Sequence, residues 1–263
     1  MNSEELRIGV FDSGLGGLTV VQALSAVIKG AALFYIADTK NAPYGEKTKE
    51  QILQYSLDIT EYLIQNHQID ALVVACNTAT SAAITLLRDK YPELILVGTE
   101  PAIKPAIEQT KTGKVGVLAT PATLRGDKYQ LLVEKLSSIK KVALFEQDCP
   151  GLVEHIERGT VESKESISML EEWLKPMRES DVDTIVLGCT HYPLASTVIK
   201  NVMQANVLLL DSSKAIAQRL LTLLLDAGHK NQGKLVSTFY TTGSIDKAFV
   251  YRLVNHPIKS ITL

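Results

Sequence analysis

The chain has 263 residues, 46% of them hydrophobic and 21% charged, with a formal net charge of −2. This is the composition of an ordinary globular protein and excludes a disordered or collagen-like chain. With 27 Lys and Arg against 29 Asp and Glu, no positive excess exists to condense on nucleic acid or an anionic membrane, so neither partner is expected.

The start, MNSEELRIGVFDSG, is acidic before it is apolar and does not read as a signal peptide, which predicts a cytoplasmic protein. No apolar run approaches the roughly 18 to 20 uncharged residues needed to span a bilayer. Three cysteines without a secretion signal argue against a disulfide framework and for reduced thiols.

Short β-branched runs alternate with longer amphipathic ones. Strands are predicted at Arg7 to Asp12, Leu33 to Asp38, Ala71 to Cys76, Leu94 to Thr99, Lys114 to Thr120, Val142 to Glu146, Thr184 to Cys189 and Val207 to Asp211. Runs such as Leu72-Val-Val-Ala75 are apolar at every position, as expected of strands buried on both faces. The fold class is therefore α/β, with mainly parallel sheets flanked by helices. Ligands of open α/β sheets bind beyond the carboxyl ends of the strands, which directs attention to Asp12, Asp38, Cys76, Thr120 and Cys189. A weak internal echo pairs Ile8–Ser13 with Val115–Thr120 and Leu72–Thr78 with Ile185–His191, as two similar halves would.

Taken in chain order, Asp12 precedes Ser13-Gly-Leu-Gly-Gly17, a turn whose backbone N–H groups can approach an anion. It imitates a nucleotide loop but lacks the third glycine of the dinucleotide fingerprint, although Asp38 stands where a ribose-binding acid belongs. Asp38 opens a loop through Pro43-Tyr44-Gly45 that either closes over a ligand or simply connects a strand to a helix starting near Thr48. Cys76, followed by Asn77 and Thr78, is expected at a strand end and helix start. The helix dipole and exposed N–H groups there stabilise a thiolate. Cys189, followed by Thr190, His191 and Pro193, repeats the arrangement, with the proline suited to a helix start. A free cysteine is usually a small buried hydrophobe, and Cys149 is read that way. Two at equivalent strand ends, each followed by hydrogen-bonding residues, shift the reading to function. Two thiols facing one carbon suit stereoinversion, one removing the α-proton while the other delivers a proton to the opposite face. Ser13, Asn77, Thr78 and Thr190 can hold a substrate carboxylate and ammonium.

Three other readings use the same residues. A binding protein would hold a small ligand with these polar groups but has no need of two thiols. A structural zinc site could draw on Cys76, Cys149, Cys189 and His191 but lacks the short paired spacing of zinc ribbons. A cysteine hydrolase could pair a cysteine with histidine and would pass through a thioester.

Five segments carry a resemblance: Phe11-Asp-Ser-Gly-Leu-Gly-Gly17, Ala37-Asp38 with Pro43-Tyr-Gly45, Ala75-Cys-Asn-Thr-Ala79, Cys149-Pro-Gly-Leu-Val-Glu154 and Gly188-Cys-Thr-His-Tyr-Pro-Leu194. In this order and spacing the chain closely resembles the glutamate racemases of the aspartate/glutamate racemase superfamily. The resemblance implies an enzyme without cofactor or metal that interconverts L- and D-glutamate by two bases and supplies D-glutamate for peptidoglycan. It implies that Cys76 deprotonates D-glutamate and Cys189 L-glutamate. Asp12, His191 and Glu154 would assist, and Asp12, Ser13, Tyr44, Gly45, Asn77, Thr78, Thr190 and His191 would bind substrate. His191, as a lone histidine, and Glu154, as a charge on a helix face, have plain structural readings as well. The resemblance further implies a homodimer and two α/β domains, 1–97 plus 210–263 and 98–209, with the active site in the cleft between them.

Overall fold

The computed structural model describes residues 6–137, 142–204 and 206–263. Residues 1–5, on which the reading of the chain start partly rests, lie outside them. The chain divides into two compact units, one running up to Thr99 and resuming at Ser213–Leu263, the other Glu100–Ser212.

In the first unit the elements are β1 (Leu6–Asp12), α1 (Leu18–Val27), β2 (Ala31–Ala37), α2 (Lys49–His67), β3 (Ala71–Val74), α3 (Asn77–Lys90) and β4 (Ile95–Gly98). The second unit follows with α4 (Ile103–Gln109), β5 (Lys114–Ala119), α5 (Pro121–Leu124), α6 (Asp127–Ser137), β6 (Ala143–Asp148), α7 (Leu152–Glu157), α8 (Lys164–Glu179), β7 (Thr184–Leu187), α9 (Ser196–Met203) and β8 (Leu208–Leu210). The chain then returns to the first unit as α10 (Ser213–Asp226), β9 (Leu235–Thr241), α11 (Lys247–Val254) and β10 (Ile258–Ser260).

The first sheet has the order β10-β9-β2-β1-β3-β4 and the second β6-β5-β7-β8. All the strand pairs are parallel. Each sheet contains the same four-strand pattern, in which the chain goes from a central strand to one neighbour and then crosses to the other side. The reversal falls between β1 and β3 in one unit and between β5 and β7 in the other. The echoed segments lie on these matching strands.

Period-two alternation explains why the central strands lack polar positions. In β3, Ala71 and Val73 enter the core under α1 and α10, while Leu72 and Val74 enter the core under α2 and α3. In β7, Ile185 and Leu187 pack toward α8 and α9, and Val186 packs on the opposite face with α4 and α6. A fully buried aliphatic side chain contributes about 1.5–3 kcal/mol, so neither face tolerates a charge.

Two boundaries differ from expectation. Gly98 pairs with Val74 in the first sheet and Leu210 with Val186 in the second, so Gly98 belongs to the first unit and Leu210 to the second. Crossings set at 98 and 210 would have cut each strand one residue short of its ladder.

The returning segment is fixed to both ends of β2. At the start, Asn231 Oδ1 accepts from the Lys29 amide at 2.7 Å, and Asn231 Nδ2 donates to Val27 O at 2.9 Å. There Gly30 has φ +64°, and a Cβ on it would stand 1.8 Å from the Gln232 carbonyl oxygen. Seven residue pairs follow, from Ala31–Leu235 to Ala37–Thr241. At the far end, Thr242 Oγ1 accepts from the Lys40 amide and donates to Asp38 Oδ1, at 3.1 and 2.6 Å. Among the described residues no helix is long and apolar enough to cross a membrane.

Candidate active site

Each unit carries a cluster of functional side chains at its sheet reversal. In the first, β1 ends at Asp12, which is fully buried and accepts from the Gly14 amide at 2.9 Å. One N–H of the glycine turn is thus taken by the chain's own carboxylate, which disfavours a phosphate there. Leaving β3 the chain stays extended through Cys76 (φ −74°, ψ 124°), which becomes the N-cap of α3. Its Sγ accepts from the Ala79 amide at 3.4 Å and lies 4.0 Å from Ser13 Oγ, to which the thiol donates. Asn77 and Thr78 open α3 and are buried beside it. The helix therefore begins immediately after Cys76, because the thiol itself supplies the cap.

Asp38 follows β2. Its carboxylate accepts from Tyr44 Oη at 2.6 Å, Thr242 Oγ1 at 2.6 Å and Asn41 Nδ2 at 3.0 Å. Three donors from the same unit saturate it, so it serves as an anchor for the Pro-Tyr-Gly loop and not as a ribose acid. Burial, then the nearby Asp38, and after it Cys76 and Asp12, drive the Tyr44 phenol far above its ordinary value. The phenol remains neutral and donates to Asp38. α2 starts after Thr48 through a reciprocal cap, Gln51 N to Thr48 Oγ1 and Thr48 N to Gln51 Oε1.

In the second unit, Thr120 caps α5 by accepting from the Thr123 amide, a local structural role. Cys189 lies just past β7, 8% exposed, with its Sγ 3.8 Å from His191 Nδ1. Thr190 and His191 are buried with it. His191 Nε2 stands 2.8 Å from Glu157 Oε1. A carboxylate accepts only, so Nε2 carries the hydrogen, and in the neutral imidazole Nδ1 then faces the Cys189 thiol with its lone pair. Pro193 lies in a 3-10 turn, Tyr192–Ala195, that leads into α9.

The acid that meets His191 is Glu157, one helical turn beyond Glu154 and not among the residues singled out from the sequence. The signal was present in the sequence. Leu152 and Ile156 form the buried stripe of α7, and at 100° per residue Glu154 falls opposite that stripe while Glu157 falls nearer its flank. Glu154 acts at longer range: its charge contributes, after burial, Cys149 and Cys189, to raising the Tyr192 phenol. Cys149 is buried, donates to Gln147 O at 3.8 Å and is pushed well above the ordinary thiol range by burial first and Cys189 second. It is a protonated, structural thiol. Among the described residues no three His, Cys, Asp or Glu side chains are grouped to hold a metal ion.

The Asp/Glu/Hydantoin racemase family profile matches residues 16–220. Glutamate racemase of Sulfurovum sp. (strain NBC37-1) is 61% identical over 249 residues, covering 95% of this chain and 94% of that protein. The structure of Escherichia coli glutamate racemase in complex with L-glutamate and activator UDP-MurNAc-ala has a TM-score of 0.86 at 28% identity, covering 98% of this chain and 99% of that one. That of Francisella tularensis glutamate racemase in complex with D-glutamate has a TM-score of 0.83 at 25% identity, covering 98% of each chain. The chain belongs to the Asp/Glu/hydantoin racemase family, and within it to the glutamate racemases.

Proposed function

We propose that this protein interconverts L- and D-glutamate without a cofactor, using Cys76 and Cys189 as the two acid/base groups, and so supplies D-glutamate for peptidoglycan. The observation that carries the reading is the placement of one thiol just past the reversal of each of two matching sheets. Cys76 takes the α-proton of D-glutamate and Cys189 that of L-glutamate, from opposite faces of the α-carbon. Whichever thiol is not the base delivers its proton.

Each thiol has its own support. The Ala79 amide and the start of α3 stabilise a Cys76 thiolate, with Asp12 at the neighbouring strand end to relay protons. Cys189 has the His191–Glu157 pair, in which the carboxylate sets the tautomer and steadies the charge that the imidazole acquires. Ser13, Asn77, Thr78 and Thr190 bind the substrate's polar groups. Tyr44 donates to Asp38, so its part in binding is to present the loop backbone, Gly45 included. Likeness to the glutamate racemases supports a homodimer working in the cytoplasm.

Incubation with L-glutamate in deuterated water tests the activity. Circular dichroism decays to zero as the enantiomers equalise, and deuterium enters the α-position with no covalent thioester by mass spectrometry. Decay without α-deuterium, or a thioester, rejects the mechanism.

The acid assignment has its own expected outcome. Glu157→Gln lowers kcat roughly tenfold or more, because the imidazole loses its tautomer control, and moves the pH profile of turnover. Glu154→Gln leaves that profile in place. The reverse pattern assigns the role to Glu154.

A further inference from the structure

We propose that Thr99, together with Thr80, is a positioning residue for Cys76, a hydroxyl clamp that fixes the peptide carrying the thiol; the inference rests on the reading of Cys76 as an acid/base group. The ladder between β3 and β4 ends at Val74 and Gly98. Beyond it, the Ala75 amide is still tied to Phe11 O at 2.9 Å, but the carbonyls of Val74 and Ala75 need other partners. Thr99 Oγ1 lies 2.8 Å from Val74 O and 2.9 Å from Ala75 O, sharing its hydrogen between them. Thr80 Oγ1 donates to Val74 O at 3.1 Å and accepts from the Thr99 amide at 2.9 Å. Thr80 also sits in the first turn of α3, its own amide bonded to Cys76 O at 2.9 Å.

These bonds join the end of β4, the end of β3 and the start of α3, and Cys76 is the residue they enclose. Its preceding carbonyl is held by Thr99 and its following one by Thr80. The clamp is dry, with Thr80 and Thr99 at 4% and 3% exposure. It is also close, since a Cβ on Gly98 would stand 2.7 Å from Thr80 Cγ2. Two effects on the sulfur follow. The Ala75–Cys76 peptide is locked at the angle that sets Sγ against the Ala79 amide. The negative end of the Ala75 carbonyl is engaged by a hydroxyl and does not turn toward a thiolate. Without the hydroxyl, a buried carbonyl seeks a new donor and the peptide rotates.

Among the described residues, the positions of the second unit that correspond to Thr99 and Thr80 are used differently. Extending its register places Ser212 beside Gly188, as Thr99 lies beside Ala75, yet Ser212 Oγ donates to Glu100 O. The position four residues after the cysteine is Pro193 in place of a threonine. The clamp therefore distinguishes the two thiols, and its removal affects one.

The test uses Thr99→Val, which keeps shape and removes the hydroxyl, and Thr99→Ser, which restores it. Iodoacetamide alkylation is followed against pH on the separate Cys76 and Cys189 peptides by mass spectrometry, alongside glutamate racemisation. For Thr99→Val the Cys76 profile shifts to higher pH and the Cys189 profile stays. Its kcat falls roughly tenfold to a hundredfold, as for a reacting group displaced by a fraction of an ångström to one ångström, while KM changes less than about twofold. Thr99→Ser recovers most of the loss in both readouts. If Thr99→Val yields no folded protein, Thr80→Val is read the same way, because it removes a second hydroxyl from the same carbonyl. An unmoved Cys76 profile in a folded variant, equal movement of both thiols, or a Thr99→Ser protein as impaired as Thr99→Val overturns the clamp. Absence of racemisation in the parent protein overturns the proposed function, and the alkylation profiles still decide the clamp.

Discussion

Replacing Cys76 by Ser is expected to lower kcat/KM for glutamate by roughly 10²–10⁴, the usual contribution of a positioned acid or base. The loss is equal in the two directions. Enantiomers have an equilibrium constant of one, so the ratio of the two kcat/KM values cannot change, however unequal the roles of the thiols. What separates the roles is isotope exchange in deuterated water. In Cys76→Ser the base for L-glutamate is intact, so L-glutamate gains α-deuterium faster than it inverts, while D-glutamate exchanges little. Cys189→Ser shows the opposite preference. Proton nuclear magnetic resonance of the α-position, with chiral analysis of the product, reads both. Undiminished deuterium incorporation from both enantiomers in each variant would end the two-base mechanism and favour a role in binding.

Gly30→Ala is expected to cost about 3–5 kcal/mol, in the range that marks a named structural failure and a large share of a typical 5–15 kcal/mol total. Its φ of +64° is strained for any residue with a Cβ, but the larger part is steric, since that Cβ would meet the Gln232 carbonyl oxygen at 1.8 Å. Neither chain yields easily, because Lys29 and Val27 are bonded to Asn231 on the other side. Gly228→Ala is the control: φ is +92° there, yet nothing lies within 4 Å. Only the backbone strain, about 1–2 kcal/mol, is then lost. Urea denaturation of the two variants measures the difference, and equal midpoints would show that the close approach carries no cost.

The fold was legible where burial on both faces forces unbroken aliphatic runs. β1 to β5 and β7 coincide with such runs, and the strand ends Asp12, Cys76 and Cys189 follow directly; β6, which ends in Glu146-Gln-Asp148, and β8, where Leu208 is 39% exposed, are edge strands with shorter apolar signals. The predicted strands ran past the ladders at Cys76 and Cys189 because an extended backbone continues after its hydrogen bonds stop; the residue that ends the run is already the cap or turn of what comes next. β9 and β10 were not foreseen. β9 lies toward the edge of the sheet, where Val236 is 58% exposed and Ser237 and Thr238 are tolerated, so its sequence lacks the aliphatic signature. Its pairing with β2 comes from residues about 200 positions apart, a relation that no local pattern encodes. At the site, residue types were readable from strand ends, but partners were not. Glu157 and Glu154 differ by one helical turn, and Thr99 and Thr80 look like ordinary β-sheet and helix residues until their hydroxyls are seen on the same carbonyl.

The interrupted path of the first unit has a consequence for synthesis. As the chain leaves the ribosome, β2 has β1 on one side and an open row of amides and carbonyls on the other, which stays vacant until Leu235–Thr241 has emerged. An unpaired edge of this kind is a template for association between nascent chains. The intervening unit is continuous in sequence, so it can close its own sheet first, while the earlier-made portion waits for its final strands.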